Sequence, residues 1–307
     1  MEQLRAGGKR AMALALALIE AAPDEPATPA LLDAAYRDAR AQVIGLTGPP
    51  GVGKSTLIAR LIEALRAEGR SVGVIAIDPS SRQSGGALLG DRVRLALADD
   101  PGVYVRSMAA RGRLGGLAPE AYAAAVLMRA VYDVVIVETV GVGQSETDVA
   151  TVADTIVLCI QPGSGDSLQY VKAGIAEIPD IAVIGKADLG SVALKAQSDL
   201  EAALALQRRA ADWSVPVIPI SGTRGYGIQR LVQAIADHEG HLAIGGRLVA
   251  RRQAQAERWA AETLRSELGR RGLEQAERAG ALRLAPGEAP FGALHRLLAT
   301  PLAPAPQ

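Results

Sequence analysis

At 307 residues, with 49% hydrophobic and 21% charged side chains, the chain can bury a substantial core and falls outside the disordered and fibrous classes. Its 33 basic and 33 acidic residues cancel, so it lacks the basic excess of a protein that lives by neutralising nucleic-acid phosphates. A single cysteine, Cys159, excludes an intrachain disulfide and fits a reducing cytoplasm.

In chain order, residues 1–22 read as one helix, stopped by PDEPATP (23–29). Its run AMALALALIE (11–20) is too short for a membrane span and has no convincing cleavage site, so no membrane partner is expected and the protein reads as soluble and cytoplasmic. Thr28 and Pro29 mark the start of a second helix over 30–40. Short β-branched runs then follow at 42–47, 71–78, 103–108, 132–139, 154–160, 181–186 and 215–221, with helical runs at 54–68, 118–130, 191–210 and 225–237 between them. Buried strands alternating with amphipathic helices predict an α/β fold, a mostly parallel sheet flanked by helices, with ligands beyond the carboxyl ends of the strands.

After about residue 238 the strand signal ends. Residues 247–283 predict a long helix or helical pair with a possible break at Gly269 or Gly272, followed by a short helix near 289–300. The apolar side of the long helix must be buried either on its own domain or on a second subunit. The expected division is a helical extension (1–40), a nucleotide-binding domain (41–237) and a C-terminal helical arm (238–307). Cys159, inside TIVLCI, reads as a small buried hydrophobe. His238, His241 and His295 lie far from the glycine-rich loops and are not expected to ligate metal.

The strongest motif is GPPGVGKST, residues 48–56, which contains the whole G-x-x-x-x-G-K-[ST] pattern between a strand and a helix. Gly48, Pro49, Pro50, Gly51, Val52 and Gly53 supply a backbone cradle for phosphate oxygens. Lys54 reaches the β- and γ-phosphates, Ser55 ligates Mg²⁺, and Thr56 continues the helix whose positive end faces the anion. Carboxylates must complete such a site. Asp78 ends one strand, Asp91 lies in the following loop, and Glu138 ends another strand before ETVGVGQSE. Singly each could be a helix cap or a strand-end charge; together they suggest a metal and water shell of Ser55, Asp78, Asp91 and Glu138, with Lys54, Asp78 and Glu138 as the catalytic set.

GPPGVGKST, IDPSS with GGALLGDR, RSMAARGRLGG (106–116), ETVGVGQSE and GSGDSLQ occur here in the order and approximate spacing of the MeaB/ArgK/MMAA family, which the region from about 42 to 237 resembles. These are P-loop GTPases that chaperone adenosylcobalamin-dependent acyl-CoA mutases. The resemblance implies GTP and Mg²⁺ as ligands, slow GTP hydrolysis, a mutase partner of the methylmalonyl-CoA mutase type and homodimerisation through the C-terminal helices. It places Asp91 in a first switch, Glu138 and Gly141 in a second, and Asp166, Gln169 and Lys172 in a third that senses the mutase.

The same resemblance gives meaning to VIGKADLG (183–190). Asp188 matches the aspartate that reads the guanine amines and Lys186 the residue that packs over the base. Gly185 stands where such loops carry Asn, which removes an amide that would brace the loop. Ser221, Gly222 and Thr223 match the second base-contacting loop, where the family commonly has Ser-Ala. Adenine would leave the Asp188 carboxylate unpaired, so a guanine preference is expected to persist. No glutamine is assignable as the water-orienting residue, and Arg106, Arg111 or Arg113 could assist. The alternative reading is a P-loop kinase acting on a small molecule or transport protein. A nickel-insertion GTPase is a third, which the single Cys and three scattered His disfavour.

Overall fold

The computed structural model describes residues 1–78, 99–109, 119–139, 149–163, 179–207, 212–278, 280, 283–285 and 287–299. Seven parallel strands form one sheet in the order β3-β2-β4-β1-β5-β6-β7. They span Gln42–Thr47 (β1), Val72–Asp78 (β2), Val103–Ala109 (β3), Val134–Glu138 (β4), Thr155–Ile160 (β5), Ile181–Ile184 (β6) and Val217–Pro219 (β7). All seven expected strands are present, and β1 and β5 are buried at every position. Parallel strands covered on both faces read as unbroken apolar runs, which is why the sequence announced them. β1 lies at the centre, with β4 and β5 as its neighbours. The chain therefore leaves it at the crevice where ligands of open α/β sheets bind.

Alternation along the strands sorts two cores. Ile44, Leu46, Val72, Val74, Val134 and Ile136 pack against helix Lys54–Ala67 and helix Ile228–Ala243. The intervening residues Val43, Ile75, Ile77, Val135 and Val137 face the opposite layer. That layer contains helix Pro119–Arg129 together with residues of helices Gly8–Ala21, Ala27–Arg37, Arg247–Arg278 and Pro290–Ala299. Numbered in order, the α-helices of the described residues are α1 (Glu2–Ala6), α2 (Gly8–Ala21), α3 (Ala27–Arg37), α4 (Lys54–Ala67), α5 (Pro119–Arg129), α6 (Ser191–Gln207), α7 (Ile228–Ala243), α8 (Arg247–Arg278) and α9 (Pro290–Ala299).

The N-terminal region is two helices rather than one, separated at Gly7. α3 begins at Ala27, three residues before the expected start, and the Thr28 hydroxyl donates to the Ala22 carbonyl at 2.7 Å, tying the helix to the chain before it. Gly269 does break α8, with φ 69° and ψ −176°.

α8 packs back on its own chain through Ala256, Trp259, Ala260 and Leu264, which share a core with Met12, Leu16 and Ile19 of α2 and with Phe291 and Leu294 of α9. Trp259 and Phe291 have ring centroids 4.7 Å apart, and Tyr122 of α5 stacks on Trp259 at 5.1 Å. Asp33 of α3 accepts hydrogen bonds from the Phe291 and Gly292 amides, capping α9. A cavity of about 230 Å³ lies among these helices, lined by Ile19, Thr28, Glu120, Trp259 and Phe291 among others.

At the amino ends of the strands, α8 is fastened by charge. Asp154, fully buried, accepts from the Val43 amide and from Arg252 Nε and Nη2 at 2.9 and 2.7 Å. Asp180 accepts from the Ile156 amide and Arg251, with His238 Nε2 at 3.3 Å. Burial raises the Asp180 carboxyl, but the His238 hydrogen bond and the Arg251 charge outweigh it and leave the group below its ordinary value. Among the described residues no helix is long and apolar enough to cross a membrane.

Candidate nucleotide site

β1 ends at Thr47 and α4 starts at Lys54, so residues 48–53 make the turn between them. Gly48 has φ 135°, and a Cβ there would lie 2.1 Å from the Cys159 carbonyl oxygen. The turn can leave β1 so close to β5 only because this residue has no side chain. Gly51 and Gly53 also have positive φ, and Gly53 is the N-cap of α4.

Lys54, 8% exposed, folds back over the turn, its Nζ donating to the Gly48 carbonyl at 2.7 Å and the Pro49 carbonyl at 3.1 Å. Ser55 Oγ donates to Glu138 Oε1 at 2.9 Å, joining the first turn of α4 to the last residue of β4. An ammonium, a helix N-terminus and two hard oxygen donors thus converge at the carboxyl end of β1.

Beside the turn opens a cavity of about 290 Å³, lined by Val52, Thr56, Gly185, Lys186, Asp188 and Gly222 among others. Lys186 is the one non-glycine residue with positive φ among the described residues (54°). That left-handed conformation costs roughly 1 kcal/mol, and it comes two residues after the end of β6, turning the chain along the cavity wall. The Lys186 ammonium donates to Gln161 Oε1 at 2.9 Å. The Ser221 hydroxyl donates to Asp188 Oδ1 at 2.6 Å, with Thr223 Oγ1 3.2 Å from Ser221 Oγ. That hydrogen bond is the main reason the Asp188 carboxyl is held below the ordinary aspartate value, with Asp188's own amide adding to it.

The two departures from the guanine-loop pattern lie where these loops press on the phosphate turn. A Cβ on Gly185 would be 3.0 Å from the Val52 carbonyl oxygen, and one on Gly222 would be 3.0 Å from Thr56 Cγ2. Neither position has spare room.

The family model for methylmalonyl Co-A mutase-associated GTPase MeaB matches residues 11–277. The chain belongs to the MeaB family. This MeaB-family chain is 43% identical over 263 residues to a GTPase-named protein of Pyrococcus horikoshii, covering 84% of this chain and 82% of that one. It is 41% identical over 221 residues to the mitochondrial methylmalonic aciduria type A homolog of Mus musculus, covering 70% of this chain and 53% of that protein. The solved structure of a LAO/AO transport system kinase resembles it with a TM-score of 0.71 and 31% identity, over 96% of this chain and 94% of that one. The MeaB-family chain is therefore a P-loop GTPase that binds guanine nucleotide.

The fold of this GTPase brings residues 48–56, Glu138, Lys186, Asp188 and residues 221–223 to the carboxyl ends of β1, β4, β6 and β7. Asp78 closes β2 at the same end, its backbone paired with Ala109. Asp91, Gly141, Arg111, Arg113, Asp166, Gln169 and Lys172 lie outside the described residues. Arg106 does not reach the site: its guanidinium pairs with Glu20 of α2. Two residues escaped the sequence reading. Gln161 holds Lys186, and Cys159, read only as core, lines the base cavity. A polar residue one step past a strand end is a weak signal for the first; the second has none.

Proposed function

We propose that this GTPase is a guanine-nucleotide switch that assists and protects an adenosylcobalamin-dependent acyl-CoA mutase of the methylmalonyl-CoA mutase type, with slow hydrolysis setting the lifetime of the bound state. The observation that carries the nucleotide part is the Asp188 carboxylate, held by Ser221 in the cavity beside the phosphate turn. The family's association with methylmalonyl-CoA mutase supports the partner.

In this reading residues 48–53 and the α4 N-terminus hold the phosphates, and Lys54 exchanges its two backbone carbonyls for phosphate oxygens when nucleotide arrives. Guanine donates its amines to Asp188, Lys186 covers the ring, and Ser221, Gly222 and Thr223 close the far side. The Ser55–Glu138 pair supplies the hard oxygen donors that suit Mg²⁺, with Asp78 at the same sheet end and Asp91 as a further ligand. Bound Mg²⁺ would neutralise phosphate charge during transfer to water. Glu138, freed from Ser55, would hold solvent near the transferred group.

Homodimerisation through the arm 238–307 and a cytoplasmic location complete the reading; residues 265–271 of α8 are exposed. Recovery of a cobalamin-dependent mutase from native extract, dependent on a non-hydrolysable GTP analogue, tests the partner. Capture of no such mutase in any nucleotide state would sink it. A kinase is the second reading, favoured by the name of the structurally similar LAO/AO transport system kinase. Label from γ-labelled GTP appearing on an acceptor rather than as free phosphate would select it.

A further inference from the structure

Gly185 cannot brace the guanine-reading loops with a side chain, and the space against the Val52 carbonyl is too narrow to have held one unaltered. The two base loops must nevertheless keep fixed positions relative to the phosphate turn if one nucleotide is to satisfy both ends. Backbone bonds join the loops to each other: the Ala187 amide donates to Ile220 and the Ile220 amide to Ile184. They do not join the second loop to α4.

That join is made by Arg60. It lies one turn beyond Thr56 on α4, and its Nε donates to the Gly222 carbonyl at 3.0 Å across 162 residues of sequence. Its Nη1 also pairs with Glu63 Oε2 at 2.9 Å, one helical turn further on. Thr56, on the same face of α4, is the group a Gly222 side chain would strike. Small residue, carbonyl and guanidinium therefore meet along one edge of the cavity. As a surface ion pair with Glu63 alone, Arg60 would count for little. Its bond to a backbone carbonyl inside the loop that carries Ser221 gives it a different role.

We propose that Arg60 is a positioning residue for guanine recognition. It fixes the 221–223 loop to the phosphate-turn helix, and so sets the Ser221 hydroxyl against Asp188, in place of the side-chain brace that Gly185 lacks. This rests on the assignment of the cavity as the guanine site. Arg60 itself touches no nucleotide.

The test compares two probes, GDP for both ends of the site and inorganic pyrophosphate for the phosphate turn alone. With Arg60→Ala, GDP affinity should fall by about 3- to 10-fold, the scale of one partly exposed charge-assisted bond, while pyrophosphate affinity and the thermal midpoint stay unchanged. Arg60→Lys, which keeps charge but cannot place a donor at Nε, should recover only part of the loss. Glu63→Ala should leave GDP affinity within about 2-fold. Unchanged GDP affinity in Arg60→Ala, or equal losses for GDP and pyrophosphate, would overturn the proposal while leaving guanine reading intact. A wild-type protein that binds ADP as tightly as GDP would overturn the guanine assignment and the proposal together.

Discussion

Ser221 and Asp188, 33 residues apart, share a hydrogen bond of 2.6 Å in which the serine hydroxyl donates to the carboxylate. The bond favours the charged form of Asp188, the form that can accept from guanine amines, and holds its pKa below the ordinary value. A carboxyl depressed in this way contributes above its unfolded pKa, and the contribution disappears as the pH falls through the lower folded value. Ser221→Ala should therefore weaken GDP binding several-fold at neutral pH and move the acid limb of the binding profile to higher pH. Titration of GDP affinity between pH 3 and 7 checks both; an unmoved limb in the variant refutes the link.

Lys54→Ala should remove nucleotide binding. The ammonium is buried against two carbonyls of the turn, already placed for phosphate. Its loss should cost at least about 100-fold in affinity, or ~3 kcal/mol. Direct calorimetric titration with GDP measures this, and wild-type hydrolysis by the variant would refute the site.

Arg252→Ala should be strongly destabilising although it is far along the chain from the nucleotide turn. It would strip the fully buried Asp154 of its salt-bridge partner, leaving the Val43 amide as its hydrogen-bond donor among the described residues. Breaking a buried pair from one side costs about 3–5 kcal/mol. Urea denaturation gives the value, and a loss below about 1 kcal/mol would mean that water replaces the guanidinium.

The thiol of Cys159 should resist alkylation in the folded protein. Burial pushes its pKa up to about 12, against the opposing pull of the Lys54 charge, so almost no thiolate exists near pH 8. Iodoacetamide labelling should appear only with unfolding; rapid labelling of native protein would show that the thiol is reachable from the cavity.

The sheet and the phosphate turn were legible because their signals are contiguous. Buried β-branched runs announce parallel strands, and Gly48 to Thr56 carry the whole motif in nine neighbouring residues. The interruption at Gly7 did carry a signal, the Gly7-Gly8 pair, but the strong apolar run that follows it masked the break. The partner of α8 was also undecidable, because periodicity shows that a face must be buried without showing against what. Arg60 carries no local signature and Gln161 only a weak one: their meaning lies in a bond to Gly222 and a bond to Lys186, and such pairings exist only once the strands are in register.

The shared core of the chain's two ends has a consequence during synthesis. Met12, Leu16 and Leu32 leave the ribosome more than 200 residues before Trp259, Phe291 and Leu294, which help to cover them. At a translation rate of about 10 residues per second, these early helices stay uncovered on the order of half a minute. A chain lacking α9 would keep the nucleotide-site residues but lose the Phe291 and Leu294 part of the cover over α2 and α3. Such an exposed apolar surface invites aggregation.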